Sequence, residues 1–236
     1  MFVCNLITDP TAPRLGISLV ESLRSAWGGG HVQWLAPNEA AEFQVSTVPE
    51  NFWDVWAEFQ ILGVDLIIQP VAGRRKAILL ADMDSTMIQQ ECIDELAIMA
   101  GVGNRVERIT ARAMNGELDF EMSVVERVAL LKGLPESIIS EVLASRISFM
   151  PGGSILLATM KANGAYAALV SGGFTAFTAS VSNRLGFDEH RANILQINGG
   201  FLTGEVEMPV LGKQSKVDAL EEITLRLGLD DAAVLA

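Results

Sequence analysis

The stretch that most constrains this chain is ILLADMDSTMIQQE, residues 78–91, in which a short apolar run ends in two aspartates one residue apart. A run this short, bounded by polar residues, is typical of a strand buried on both faces. Asp82 and Asp84 would repel each other, and two carboxylates are costly to desolvate together. A turn that only reversed the chain would use other residues, so the pair indicates a functional site at the end of a strand.

From this strand onward, strands and helices alternate. AYAALVSGG and AAVLA are predicted as further strands, and ILQINGGFLTGEVEM as a glycine-rich hairpin. This order predicts an α/β domain over residues 76–236 with a doubly wound parallel sheet. A block at about residues 91–147 has helical character almost throughout, and glycines separate its segments. We expect it to be a helical cap inserted after the first strand.

Residues 1–75 form a different pattern, in which strands and helices follow the order β-α-β-β-α-β. That order is the split β-α-β arrangement of ferredoxin-like folds, so a small α+β domain is predicted. Trp53 and Trp56 are expected to pack in its core. The domain is similar to amino-acid-sensing ACT domains, but their ligand loops are not recognisable here. We therefore favour a dimerising or stabilising domain, with a homodimer as the possible assembly.

The net charge of the chain excludes some classes of binding partner. The net charge of −12 argues against nucleic acid or an anionic membrane surface, because binding either requires a basic face. An anionic small substrate would need local positive charge from a metal or from well-placed lysines and arginines. Cys4 and Cys92 are the only cysteines, and MFVCNLITDP lacks the basic start of a signal peptide. We expect a cytoplasmic protein.

Two later features complete a possible site. Ser171-Gly172-Gly173 follows a predicted strand and enters a helix, and Lys216 opens another helix. Ligands of open α/β sheets bind beyond the carboxyl ends of the strands, where hydroxyl and backbone N–H groups can hold an anion. Two carboxylates, a hydroxyl with amides and a cation suit phosphoryl transfer. Mg²⁺ is the expected agent that would neutralise the acidic pair.

These residues also carry a resemblance. DMDST, SGG and SK resemble the three motifs of the haloacid-dehalogenase-like phosphatases. The longer blocks DMDSTMIQQECIDELA, AMNGELDFEMSVVERVALLKGLP and LVSGGF resemble the phosphoserine phosphatases within that family. The resemblance implies hydrolysis of O-phosphoserine to serine and phosphate through an aspartyl-phosphate, the last step of serine biosynthesis. It also implies dependence on Mg²⁺.

The resemblance implies a role for each matching residue. Asp82 would be the nucleophile and a metal ligand. Asp84 would protonate the leaving serine oxygen and then activate water, with its backbone carbonyl on Mg²⁺. The implied substrate-binding residues are Ser171, Gly172, Gly173 and Lys216 for the phosphate, Glu91 and Arg127 for the ammonium and carboxylate, and Met114 and Phe120 as apolar walls. Lys213 lies three residues before Lys216 and is an alternative phosphate ligand.

Members of this family continue the strand that corresponds to AAVLA into a G-D-G-x-N-D stretch, whose aspartates complete the Mg²⁺ site. The present sequence stops at Ala236, before such a stretch. We expect it to be a fragment, with weak Mg²⁺ binding and little turnover as it stands. Two alternatives remain open: a relative with the same chemistry on another small phosphomonoester, and a regulatory protein that keeps the phosphate pocket without turnover.

Overall fold

A computed structural model describes all residues, Met1–Ala236. The chain divides into two compact units, Met1–Arg75 and Lys76–Ala236. Each unit has its own sheet and its own buried core.

The first unit is a four-stranded antiparallel sheet with two helices. Its sheet order, β2-β3-β1-β4, is that of the split β-α-β arrangement, which confirms the predicted fold class. Alternate residues of the first strand, Cys4 and Leu6, pack against a core that contains Phe43, Phe52 and Phe59. Its elements are β1 (Phe2–Thr8), α1 (Ile17–Ala26), β2 (Gln33–Ala36), β3 (Ala40–Val45), α2 (Phe52–Ile61) and β4 (Val64–Pro70).

The two tryptophans of α2 do not lie in this core, so that prediction was wrong. Trp53 is 72% exposed and Trp56 is 38% exposed, and their rings meet edge to face with centroids 6.0 Å apart. The helix buries Phe52 and Phe59 instead. Residues seven apart share one helix face, so packing this pair directs the tryptophans outward.

The second unit is built on a four-stranded parallel sheet with the order β10-β5-β6-β7, which confirms the predicted α/β class. The predicted hairpin is also present as β8 and β9. One strand was not predicted, because EHRAN contains no apolar run and buries only Ala192 and Asn193. The strands are β5 (Ile78–Ala81), β6 (Tyr166–Phe174), β7 (Glu189–Asn193), β8 (Leu195–Asn198), β9 (Phe201–Val206) and β10 (Val234–Leu235).

Helices cover both faces of this sheet. Ile78 and Leu80 of β5 pack with Ala219 and Ile223 of α9 (Lys213–Leu227) on one face. The alternate residues of β5 join a larger cluster that includes α7 (Gly153–Ala162) and α8 (Thr175–Leu185) on the other. Burial on both faces accounts for the unbroken apolar run of β5, because neither set of alternate side chains meets solvent.

Four helices lie between β5 and α7, and they are called the helical insert below. Apolar residues of three of them, α3, α5 and α6, join the larger core cluster, whereas α4 buries only Val106. Backbone hydrogen bonds also tie residues 133–136 of the insert to the hairpin, including one of 2.8 Å from Gly133 N to Leu202 O. No helix in either unit combines the length and apolar character that a membrane span requires. The insert consists of α3 (Cys92–Met99), α4 (Gly103–Met114), α5 (Phe120–Ala129) and α6 (Ser137–Ser145).

Candidate active site

A cavity of about 310 Å³ lies at the carboxyl ends of β5 and β6, where it is bounded by the helical insert and by the start of α9. Polar groups at this edge face the cavity because parallel strands bring their carboxyl ends together. Nine of the ten residues predicted from the sequence line it: Asp82, Asp84, Glu91, Phe120, Arg127, Ser171, Gly172, Gly173 and Lys216. Five further residues complete the lining: Ile93, Val124, Phe174, Gly212 and Lys213.

Asp82 directly follows β5, and both of its carboxylate oxygens are held. Met83 N donates to Asp82 Oδ1 at 2.8 Å, and Lys216 Nζ donates to Asp82 Oδ2 at 2.5 Å. Lys216 stands in the first turn of α9. Lys213 lines the same cavity, but its ammonium group has no hydrogen-bond partner. The structure therefore places Lys216 directly beside the carboxylate.

Asp84 lies two residues further on and is also partly buried. Burial raises the pKa of its carboxyl to about 6; the nearby charges of Glu91 and Asp82 act in the same direction, and hydrogen bonding to Cys92 opposes them. Cys92 N donates to Asp84 Oδ1 at 3.2 Å. A carboxyl with a pKa near neutrality can both give and take a proton, which is the requirement for an acid–base group.

The last part of β6, Ser171–Gly173, is an irregular stretch in which the pairing with β7 shifts register, and it supplies a hydroxyl and backbone N–H groups. This stretch is called the Ser171–Gly173 turn. Ser171 is 2% exposed, and its Oγ accepts a hydrogen bond of 2.9 Å from Gly173 N. A Cβ atom at residue 173 would lie 2.6 Å from Asp84 Oδ2, so only glycine allows this approach. Such a turn of small residues leading into a helix is suited to hold an anion.

The helical insert contributes an arginine and a glutamate to the cavity. Arg127 Nε donates to Ser123 O at 3.1 Å, and no carboxylate forms an ion pair with its guanidinium. Burial lowers the pKa of Arg127, although the charges of Asp94 and Glu91 oppose this effect. Glu91 Oε1 accepts a hydrogen bond of 2.6 Å from Ser85 Oγ. A cation and an anion that have no ion-pair partner in the fold suit a small ligand that carries both charges.

Phe120 fits into a slot made by two glycines. A Cβ atom would lie 2.9 Å from the Phe120 ring at Gly172 and 3.0 Å from it at Gly212. The ring is placed by the start of α5, where Asp119 caps the helix by accepting a hydrogen bond from Met122 N at 2.7 Å. Glycine at both positions therefore lets an aromatic ring of the insert reach the core beside the cavity.

Met114 is the one predicted residue that does not line the cavity, and its side chain is 84% exposed. It is the last residue of α4, whereas the cavity is faced by α5. Phe120, Val124 and Arg127 recur at the spacing of one helix face, so α5 presents all three to the cavity. In this structure Phe120 and Val124 provide the apolar wall together with Ile93.

Sequence reasoning missed one residue that touches two parts of the site. Asn193, the last residue of β7, is 2% exposed. It donates hydrogen bonds to Gly172 O at 2.8 Å and Leu211 O at 3.2 Å, and it accepts one from Leu211 N at 2.6 Å. A polar residue at the carboxyl end of a strand was the available signal, but the strand itself was not recognised.

Comparison with known proteins gives consistent results. The sequence matches the haloacid dehalogenase-like hydrolase family over residues 79–236. It is 40% identical over 181 residues to the phosphoserine phosphatase of Archaeoglobus fulgidus, a match covering 76% of this chain and 52% of that protein. The chain thus spans about half the length of that relative.

Solved structures show the same relationship. A haloacid dehalogenase family hydrolase from Salmonella enterica serovar Typhi superposes with a TM-score of 0.84 at 26% identity, covering 100% of this chain and 82% of that chain. A structure described as a phospho-aspartyl intermediate analogue of phosphoserine phosphatase gives a TM-score of 0.63 at 38% identity. That match covers 68% of this chain and 77% of the other.

Proposed function

The chain belongs to the haloacid dehalogenase-like hydrolases, and from this membership we propose that it hydrolyses O-phosphoserine to serine and phosphate through an aspartyl-phosphate. The main support for this proposal is the set of residues that share one cavity. Asp82 stands beside Lys216 and the Ser171–Gly173 turn on one side of a cavity, and the same cavity is lined by Arg127 and Glu91 of the helical insert.

In the first step, a carboxylate oxygen of Asp82 attacks the phosphorus atom of phosphoserine. The bond between phosphorus and the serine oxygen breaks, and that oxygen takes a proton from Asp84. The products of this step are free serine, a phosphorylated Asp82 and an ionised Asp84. Lys216 and the N–H groups of the Ser171–Gly173 turn hold the phosphoryl oxygens, whose charge must be neutralised during transfer.

In the second step, the ionised Asp84 takes a proton from a water molecule, and the water oxygen attacks phosphorus. The bond between phosphorus and Asp82 breaks, which releases inorganic phosphate and returns both aspartates to their starting states. One carboxylate thus forms the covalent bond while its neighbour moves the proton, a division that explains why two aspartates stand so close together.

The substrate is assigned from the charges of the helical insert. The guanidinium of Arg127 has no ion-pair partner and is suited to the carboxylate of phosphoserine, since arginine binds carboxylates through two parallel hydrogen bonds. The carboxylate of Glu91 is suited to the ammonium group. Phosphomonoesters that lack these two charges would gain nothing from either residue.

Dependence on a metal is typical of this family, and Mg²⁺ is the ion we propose. Asp82 and the backbone carbonyl of Asp84 would hold it. These are hard oxygen donors, which Mg²⁺ prefers, and Mg²⁺ retains several of its waters when it binds to proteins. When bound, the ion would neutralise charge on the phosphoryl oxygens.

The test compares phosphoserine with p-nitrophenyl phosphate, which lacks the amino acid. Replacing Arg127 or Glu91 by alanine should raise KM for phosphoserine by about 30-fold or more, because each change leaves one charged group of the substrate without its partner. KM for p-nitrophenyl phosphate should change little. Arg108→Ala, which removes an exposed arginine of α4, is the matched control. Equal effects on both substrates would instead favour another phosphomonoester as the natural substrate.

A further inference from the structure

We propose that Asn193 is a positioning residue that sets the distance between the two anion-holding segments of the site, the Ser171–Gly173 turn and the start of α9. The inference rests on the proposed function in one respect, since it takes the ligand of these segments to be a phosphate group. Asn193 itself does not line the cavity. It therefore acts through the segments it holds.

The three hydrogen bonds of Asn193 join segments that are far apart in the chain. Gly172 is 21 residues before Asn193, and Leu211 is 18 residues after it. No direct hydrogen bond connects the turn at the end of β6 with the segment that leads into α9. The carboxamide of Asn193 is therefore the polar link between them.

Only an asparagine-like group satisfies this arrangement. The carboxamide offers two N–H donors and an acceptor oxygen, and here both donors and the oxygen are used. An aspartate could accept from Leu211 N but could not donate to the two carbonyls. An alanine or leucine would leave three buried backbone groups without these partners, and the two segments would shift to find others.

The two segments that Asn193 joins lie next to the residues proposed to hold phosphate. Leu211 precedes Gly212 and Lys213, and Lys216 comes one helical turn later beside Asp82. Gly172 is the central residue of the turn that begins with Ser171. A change at Asn193 would therefore displace the hydroxyl and amides on one side of the phosphate relative to the lysine on the other. The grip of Arg127 and Glu91 on the amino acid would not be altered.

Variants of Asn193 should therefore differ in their kinetic defects from Arg127→Ala and Glu91→Ala, which are expected to raise KM for phosphoserine alone. Asn193→Ala should weaken binding of inorganic phosphate by about 10- to 100-fold, the loss usual when a residue that orients ligand-holding groups is removed. KM should rise in parallel for phosphoserine and for p-nitrophenyl phosphate. Asn193→Ser, which keeps one hydroxyl that can reach one of the two segments, should show the same defects at a smaller size.

The experiment measures phosphate binding to the full chain by calorimetry, together with kcat and KM for both substrates and the melting temperature. Thr224→Val is the matched control, because Thr224 is 5% exposed in the same helix as Lys216 but bonds only to Leu220 O and Glu221 O. The control should leave phosphate affinity within about twofold of the wild type even if its melting temperature falls.

Because phosphate binding is measured separately from turnover, the proposed hydrolysis of phosphoserine and the proposed role of Asn193 can fail independently. If the wild type binds phosphate but does not hydrolyse phosphoserine, the proposed function fails, and Asn193 is still judged from the affinities of its variants. If both Asn193 variants bind phosphate as tightly as the wild type, the residue is merely structural and the inference is overturned. Absence of phosphate binding to the wild type would overturn it equally, since there would be no anion site to position.

Discussion

At the amino ends of β6 and β7, Tyr166 and Glu189 lie in a network of ion pairs and hydrogen bonds, whereas the carboxyl ends of β5 and β6 border a cavity with incompletely paired charges. Glu189 accepts hydrogen bonds from Tyr166 Oη at 2.7 Å, Arg226 Nη2 at 2.6 Å and Arg191 Nη2 at 2.8 Å. Arg191 also pairs with Glu222. Every charge in this network has a partner of opposite sign within the fold.

The carboxyl ends lack this internal balance. Asp84 has a single backbone N–H as its hydrogen-bond donor, Arg127 has no ion-pair partner, and Lys213 has no hydrogen-bond partner. Asp84 and Arg127 are partly buried, and partly buried charges without partners are costly, so a fold keeps them where a ligand supplies the missing charge. Charged residues occur at both ends of the sheet, so residue type alone does not identify a site. The distinguishing property is whether the fold itself satisfies the charges.

Of the variants considered, Asp82→Asn, at the carboxyl ends of the strands, should have the largest effect on activity and only a small effect on stability. Removing the carboxylate that we propose attacks phosphorus is expected to lower kcat for phosphoserine by about 10³-fold or more. The melting temperature should change by only a few degrees, because the ion pair with Lys216 is partly exposed. Phosphate release and thermal melts on the same preparation measure both. Retained turnover would show that Asp82 is not the nucleophile.

The two lysines of α9 provide the next test. Lys216→Ala should lower kcat/KM by about 10²–10³-fold, the loss usual for one charged or hydrogen-bonding group that stabilises the transition state. Lys213→Ala should lower kcat/KM by less than about tenfold, because Lys213 lines the cavity without contacting Asp82. Steady-state kinetics of the two variants side by side decides between them. A larger loss at Lys213 would make that residue the phosphate ligand.

Glu189→Gln tests the amino ends and should affect stability, not activity. Replacing the charge weakens four hydrogen bonds from three partly exposed partners, so the free energy of unfolding should fall by about 1–2 kcal/mol. The melting temperature would then drop by about 2–8 °C. kcat/KM should stay within about twofold. A large loss of activity would mean that the two ends are not independent.

The same variant has a defined pH dependence. Burial raises the pKa of Glu189, but hydrogen bonds from Arg226, Tyr166 and Arg191 outweigh it and leave the pKa below its ordinary value of 4.5. A carboxyl with a lowered pKa stabilises the fold above the unfolded pKa and loses that contribution as pH falls through the folded value. The stability difference between wild type and Glu189→Gln should therefore be full at neutral pH and shrink below about pH 4.5. Urea unfolding across this range measures it.

Deleting residues 1–75 should have the smallest effect on specificity. Every residue that lines the cavity lies in the unit Lys76–Ala236, which has its own core. The preference for phosphoserine over p-nitrophenyl phosphate should change by no more than about twofold, as expected for independent regions. The ratio of kcat/KM values for the two substrates, measured on folded protein, provides the test. A large loss of preference would assign substrate specificity to the first unit.

Part of this architecture could be predicted from neighbouring residues alone. The run ILLA followed by Asp82 carries its own signal, because burial on both faces demands apolar side chains at every position. The glycines of the Ser171–Gly173 turn likewise mark a close approach of backbone to ligand. β7 could not be recognised in this way, since its residues EHRAN become a strand only by pairing with β6.

The sequence also did not show which face of each helix is buried. The segment FWDVWAEFQI has large apolar residues around most of its circumference, so its spacing alone does not say whether Phe59 or Trp56 is buried. Met114 and Val124 posed the same problem, because both are apolar residues of the helical insert. Which of them faces the cavity depends on how α4 and α5 pack against their neighbours.

The order of strands and helices in most of the chain, the acidic pair and the types of polar residue at the site could all be predicted from the sequence, since each depends on neighbouring positions and their chemistry. Only the tertiary structure decided that Lys216 meets Asp82 across 134 residues, and that Asn193 joins Gly172 to Leu211. Contacts of this kind arise from the packing of whole elements, and no local spacing records which distant backbone group a buried carboxamide will reach.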